Sequence, residues 1–239
     1  MALEVNEGLF KDLWPYIIND SVTDLKWNGQ DLWITDLQKG RYQSDLKLDG
    51  DWLRIFTNLV ANSVNENFNM SKPSLKAETK ELRIQAMHNS VSGDNNICLA
   101  IRKTPSCARL LQQDLVENGY ANDFIVKLLP CLMRARLSGV ITGDVGAGKT
   151  ELEKYLCYFI PDNDPIVTVE DTLEMKLKTI YPNKDIYSLK VSDEYTNEQA
   201  IRDALRLNTK WLIISESRGR EILRIIEGAS SGCVALTSI

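Results

Sequence analysis

Eight residues, Gly143 to Thr150, restrict this fold more than any other stretch; they read Gly-Asp-Val-Gly-Ala-Gly-Lys-Thr. A glycine, four free positions and Gly-Lys-Thr make the pattern of a phosphate-binding loop, which needs a strand before it and a helix after it. Leu137 to Thr142 is strand-like, with Val140 and Ile141 at its centre. From Glu151 to Ile160, Leu152, Tyr155, Leu156 and Phe159 recur at helical spacing. The glycines let backbone N–H groups close around a phosphate, and the helix N-terminus adds the positive end of its dipole. The expected nucleotide contacts are Gly143, Asp144, Val145, Gly146, Ala147, Gly148, Lys149, Thr150 and Glu151. Lys149 would reach the β- and γ-phosphates, and the Thr150 hydroxyl would hold Mg²⁺.

The rest of the chain divides near Lys103-Thr-Pro-Ser106. Thr104 stands before Pro105 and is pushed out of helical geometry, and Ser106 can cap the helix that follows. Residues 1–103 read as a small α+β domain. A helical stripe (Leu9, Phe10, Leu13, Trp14, Ile17, Ile18) precedes strands at 22–27 and 31–36, joined by an Asn28-Gly29 turn. An amphipathic helix runs from Gly50 to about Asn69, and strands follow at 81–87 and 97–102. Residues 104–136 read as a helical linker and residues 137–239 as the P-loop domain. That domain continues with strands at 166–169 and 211–214, helices at 198–207 and 221–228, and a strand from Cys233. The fold class is α/β, with an open sheet that gathers its ligands at strand C-terminal ends.

A bound phosphate is hydrolysed only with help from carboxylates. Glu170-Asp171 ends the strand after the loop helix, and Glu216 ends the strand at 211–214. Either site could orient water, accept its proton or support Mg²⁺, so Lys149, Glu170 and Glu216 are the catalytic candidates. Thr150, Asp171 and Glu216 are the candidates for the metal. The strand ending at Glu170 is expected to lie beside the loop strand. A guanidinium stabilises charge spread over a transferring phosphoryl group, which draws attention to Arg83, Arg102 and Arg218. No Asn-Lys-x-Asp guanine signature occurs, so adenine is favoured.

Composition removes other classes. Net charge is −5 and the pI about 5.1, against a broadly basic nucleic-acid surface. The apolar runs fall short of a membrane span, and the acidic N-terminus carries no secretory signal. Cys98, Cys107, Cys131, Cys157 and Cys233 lack metal-ligand spacing, and His88 is the single histidine. The cysteines are expected to be buried free thiols in a reducing cytoplasm.

Together these motifs resemble the traffic ATPases of type II and type IV secretion, conjugation and type IV pilus systems. The nearest branch is the conjugation/type IV secretion and tight-adherence pilus group. Val22-Thr-Asp-Leu-Lys-Trp-Asn-Gly29 resembles the family's N-terminal V-T-E-I-x-V-N-G stretch, and Val167 to Thr172 its acidic Asp box. Arg202 to Arg206, through Ile213 to Gly219 and Glu221, resembles its Walker B region. Gly232 to Ile239 resembles the approach to its His box. Asp144, Val145, Glu151 and Ser215 depart from the commoner family residues. The resemblance implies a recombinase-like P-loop core, incomplete at its C-terminus before the His box, behind a smaller α+β domain. It also implies ATP and Mg²⁺ as cofactors, a homohexameric ring, and Arg83 and Arg102 reaching toward the nucleotide. The expected function is a cytoplasmic ATPase motor, peripheral at the inner face of the membrane and working on inner-membrane components of an export machine. As it stands, the chain is expected to bind Mg-ATP and hydrolyse it poorly. A nucleic-acid translocase on the same core, or a non-hydrolysing nucleotide-gated scaffold, are the alternatives; the acidic pI weighs against the first.

Overall fold

Strands whose residues alternate between core and solvent build the N-terminal part of the molecule. The computed structural model describes residues 3–93, 95–104, 106–110, 112–117, 119–144, 146–215, 223, 228 and 232–239. The chain forms two units, Met1–Pro105 and Ser106–Ile239. In the first, α1 (Glu7–Phe10), a 3-10 turn (Lys11–Leu13) and α2 (Trp14–Ile18) precede three strands, β1 (Val22–Trp27), β2 (Leu32–Asp36) and β3 (Gly40–Ser44). The helix α3 (Gly50–Ser63) follows, then β4 (Ser74–Glu78), β5 (Leu82–Met87) and β6 (Cys98–Lys103). All six strands join one antiparallel sheet, in the order β3-β2-β1-β6-β5-β4. One face buries Leu25, Trp27, Ile34, Ile84 and Ile101 against Phe10, Leu13, Phe56 and Val60.

Local chemistry sets the ends of α3. Asp49 caps it by accepting from the Trp52 N–H at 3.0 Å. The sequence stripe continues to about Asn69, but the helix stops at Ser63. Asn65 takes a left-handed conformation (φ 55°), and the Glu66 N–H turns back to the Ala61 carbonyl at 2.9 Å. The Asn28-Gly29 turn is also wider than expected, because the Asn28 side chain accepts from both Gln30 and Asp31 N–H groups and delays β2 to Leu32.

The second unit is a doubly wound α/β layer. Its elements are α4 (Gln112–Glu117), α5 (Asp123–Arg134), β7 (Gly139–Ile141), α6 (Lys149–Cys157) and β8 (Ile166–Glu170). They continue with α7 (Leu177–Ile180), β9 (Ile186–Lys190), α8 (Asn197–Ala204), β10 (Trp211–Ile214) and β11 (Val234–Ser238). The five strands are parallel, in the order β7-β11-β10-β8-β9. Ile166, Trp211, Ile213, Val234 and Leu236 face α4, α5 and α6 through Leu115, Met133, Tyr155 and Leu156. Val167, Val169, Leu212, Ile214 and Ala235 face α8 through Ala200, Ile201 and Ala204. Period-2 alternation thus serves both covered faces. The described residues of 106–136 pack into this unit: Leu115, Val126 and Met133 are buried in its core, and Arg136 grips Asp164 with two hydrogen bonds of 2.8 and 3.1 Å.

Two expectations need correction. The strand ending at Glu170 does not lie beside the loop strand: β11 and β10 stand between β7 and β8. A crossover can skip positions that later strands fill, and nothing local in the sequence reveals it. The cysteines are free, but Cys107 and Cys131 are exposed and Cys98 half-buried; only Cys157 and Cys233 are buried. Among the described residues, no helix is long and apolar enough to cross a membrane. The helix expected at 221–228 lies mostly outside the described residues.

Candidate active site

Strand register assembles the site. Ile141 of β7 pairs with Ser238 of β11, Ile214 of β10 pairs with Thr237 of β11 and Val169 of β8, and Glu170 pairs with Lys190 of β9. The C-terminal ends of β7, β11, β10 and β8 therefore form one rim. The loop that leaves β7, Ser238, Ser215 and Glu170 all stand on it. In a parallel sheet whose order departs from the chain order, that rim is where ligands gather.

Among the described loop residues, Gly146 (φ 85°) and Gly148 (φ 88°) occupy the left-handed region that other residues avoid. A side chain at Gly143 would meet the Ala147 Cβ at 3.4 Å. The Lys149 ammonium donates to the carbonyls of Gly143 at 2.7 Å and Asp144 at 3.3 Å, so the loop's own backbone holds the cation across its mouth. Thr150 follows in the first turn of α6. The ring of Tyr120 lies 3.5 Å from where a Gly148 side chain would begin, a neighbour that nothing in the sequence pattern announced. Val145 lies outside the described residues.

Glu151 has a different setting from the one expected. Its carboxylate accepts from the Arg109 N–H at 3.0 Å and pairs with Lys154 at 2.8 Å, a lysine whose side chain is 2% exposed. The carboxylate thus serves as the counter-ion of a buried ammonium.

Glu170 is buried, with one oxygen accepting from the Thr168 hydroxyl and the other from the Met175 N–H, both at 2.9 Å. Burial raises its pKa, and these two hydrogen bonds, a third from the Glu174 N–H and the charge of Lys176 pull it back. Asp171 is exposed, and one of its oxygens accepts from the Thr172 N–H. Ser215 continues β10 at the rim, while Glu216 and Arg218 lie outside the described residues. Thr150 and Asp171 offer only oxygen donors, as a hard divalent cation prefers. Among the described residues, no cluster of three or more His, Cys, Asp or Glu is placed to hold a metal.

The structure also shows an acid that the sequence reading missed. Glu153 is 0% exposed, and neither carboxyl oxygen has a hydrogen-bond partner among the described residues. Burial, then the nearby charge of Glu170, push its pKa well above the carboxylate range; Ser238 and Lys149 oppose this less strongly. Its signal was positional: it lies three and four residues before the buried Leu156 and Cys157, on the apolar side of α6. Folding therefore takes up a proton at Glu153. The cost is absent at pH values below the ordinary carboxylate pKa, grows as pH rises above it, and levels off beyond the raised folded pKa. With EDTA present, the urea midpoint of Glu153→Gln should gain on that of wild type as pH rises from 5 to 8. A constant difference would mean that the carboxyl is not buried.

In the first unit, Arg83 and Arg102 are direct cross-strand partners on β5 and β6. Asp24 lies opposite Arg102, pairing with it at 2.9 Å, and Glu78 lies opposite Arg83. The two guanidiniums thus belong to an acid-flanked ladder across four strands.

A family model described as type II/IV secretion system protein matches residues 67–239. An uncharacterized protein of Bacillus anthracis is 25% identical over 260 residues, covering 99% of this chain and 57% of that protein. The type IV secretion system protein VirB11 of Brucella suis is 25% identical over 263 residues, covering 97% of this chain and 72% of its own length. The ATPase DotB of Yersinia pseudotuberculosis superposes with a TM-score of 0.71 at 16% identity, covering 99% of this chain and 66% of that one. This likeness speaks for the fold, a recombinase-like P-loop core behind an α+β unit. The chain spans little more than half the length of the Bacillus relative.

Proposed function

Because the chain belongs to the type II/IV secretion system protein family, we propose that it is an ATP-binding and ATP-hydrolysing motor subunit of a type IV secretion, conjugation or pilus-like export machine. One observation carries the reading: the strand register brings the glycine loop, Lys149 and Glu170 to a single rim of the parallel sheet. The loop N–H groups and Lys149 bind the β- and γ-phosphates. Thr150, with Asp171 and Glu216, would hold Mg²⁺, which would supply positive charge against the phosphates. Glu170, its orientation fixed by Thr168 and Met175, accepts the proton of the attacking water. Arg218 supplies further positive charge toward the nucleotide. The working assembly is a homohexamer, cytoplasmic and peripheral to the inner face of the membrane, where it acts on membrane components of the machine.

Glu170→Gln tests this reading. Glutamine keeps the shape and can still accept from the Met175 N–H, but it is a poor proton acceptor. Affinity for a non-hydrolysable ATP analogue should stay within about threefold, while turnover falls by about a hundredfold or more, the usual contribution of a general base. Unchanged turnover would take Glu170 out of the mechanism; Glu216→Gln would then identify the base.

A further inference from the structure

Glu153 is a fully buried acid whose oxygens have no hydrogen-bond partner among the described residues. Such groups cost a fold free energy, native interiors hold few of them, and each asks for an explanation. A leucine would pack there at no such cost. Among the described residues no hydrogen bond satisfies the carboxyl, yet its place is specific.

Glu153 stands one helical turn after Lys149 and one before Cys157, so the three share a stripe of α6. Alternation along the strands puts Thr168 and Glu170 of β8, Ser215 beyond β10 and Ser238 of β11 on the sheet face where α6 packs. Two neighbouring groups already give hydrogen bonds elsewhere, while the Ser238 oxygen keeps lone pairs near the Glu153 carboxyl and Lys149 keeps a third N–H. The Ser238 hydroxyl donates to the Ser215 carbonyl, and the Lys149 ammonium to Gly143 and Asp144. Burial, then the nearby charge of Glu170, favour the protonated form of Glu153. A protonated carboxyl has one O–H to give, and the Glu170 carboxylate, which accepts from Thr168, Met175 and Glu174, keeps acceptor capacity, since its two oxygens offer about four lone-pair sites.

We propose that Glu153 is a positioning residue for hydrolysis: when phosphate on the loop settles α6 against the strand ends, Glu153 donates a hydrogen bond to Glu170 and fixes that carboxylate toward water. The inference rests on the ATPase reading. A contact made only in the hydrolytic state raises kcat and leaves ground-state binding alone.

Two variants separate positioning from mere tolerance. Gln keeps the shape and an N–H to donate; Leu keeps the approximate volume and donates nothing. Turnover of Glu153→Gln should stay within about threefold of wild type, whereas Glu153→Leu should lose about tenfold or more in kcat with an unchanged KM for ATP. In urea, Glu153→Leu should be at least as stable as wild type. A readout independent of turnover is the rise in unfolding temperature caused by Mg-ADP with aluminium fluoride, a mimic of the transferring phosphoryl group. That rise should be smaller for Leu than for Gln and wild type, while Mg-ADP alone acts on all three alike. Equal kcat in Leu and wild type, equal stabilisation by the mimic, or an equal loss in Gln and Leu overturns the inference and leaves the ATPase reading standing. If wild type neither turns over ATP nor responds to the mimic, the ATPase reading fails and takes this inference with it.

Discussion

Lys149→Ala is expected to weaken ATP binding by about a hundredfold. Hydrogen bonds to charged groups contribute about 1.5–3 kcal/mol, and a β/γ-bridging ammonium belongs at the top of that range. The geometry already presents the cation: the carbonyls of Gly143 and Asp144 hold it across the loop, and a phosphate entering there meets an ammonium in place. Lys149 is half-buried and makes no ion pair among the described residues, so its removal should move the urea midpoint little. Calorimetry with a non-hydrolysable analogue reads the effect directly. Wild-type affinity in the alanine variant would remove the loop from the mechanism.

Glu151→Ala should act on the fold. It strips the carboxylate from Lys154, whose side chain is 2% exposed and has Glu151 as its ion-pair partner at 2.8 Å. Breaking a buried pair from one side leaves an uncompensated charge, which costs about 3–5 kcal/mol. The Arg109 N–H loses its acceptor as well. The double variant Glu151→Ala with Lys154→Met should recover most of the loss, because replacing both charges by apolar groups is often neutral. Urea unfolding of the two single variants and the double gives the coupling. A loss below about 1 kcal/mol in Glu151→Ala would mean that Lys154 reaches water after all.

What could be read from the sequence follows how local each cause is. The glycine loop was legible because strand, turn and helix are contiguous, and the left-handed conformations of Gly146 and Gly148 are what glycine supplies. The opening hairpin was legible through Asn28, though its side chain makes a longer turn. Three strands were not; one of them, Gly40–Ser44, has a single buried position in five and is made a strand by pairing with β2. Ser74–Glu78 carries only Leu75 and Ala77 as apolar residues, and Ile186–Lys190 has three of its five positions exposed. Pairing with β5 and β8 makes them strands, and pairing is not a local property. Strand order failed for the same reason. Within the site, Glu170 was found because it ends an apolar run, but Glu153 was hidden among Glu151 and Lys154, a stretch that reads as solvated charge. The fates of these three differ only through which side of α6 each one occupies.

The place of β11 fixes the order in which this unit can be built. Among the described residues β7 joins the sheet only through β11, and Ser138 and Ala235, which share a hydrogen bond, lie 97 positions apart. During synthesis the loop and its helix emerge long before the strand that anchors them, so the nascent glycine loop has no sheet to stand on. Closing so long a segment is paid in chain entropy before any contact rewards it, which makes this a slow, late step. β8, β9 and β10 can pair with one another first and wait. The ability to grip a phosphate therefore waits on β11, which slides between two strands that were made well before it.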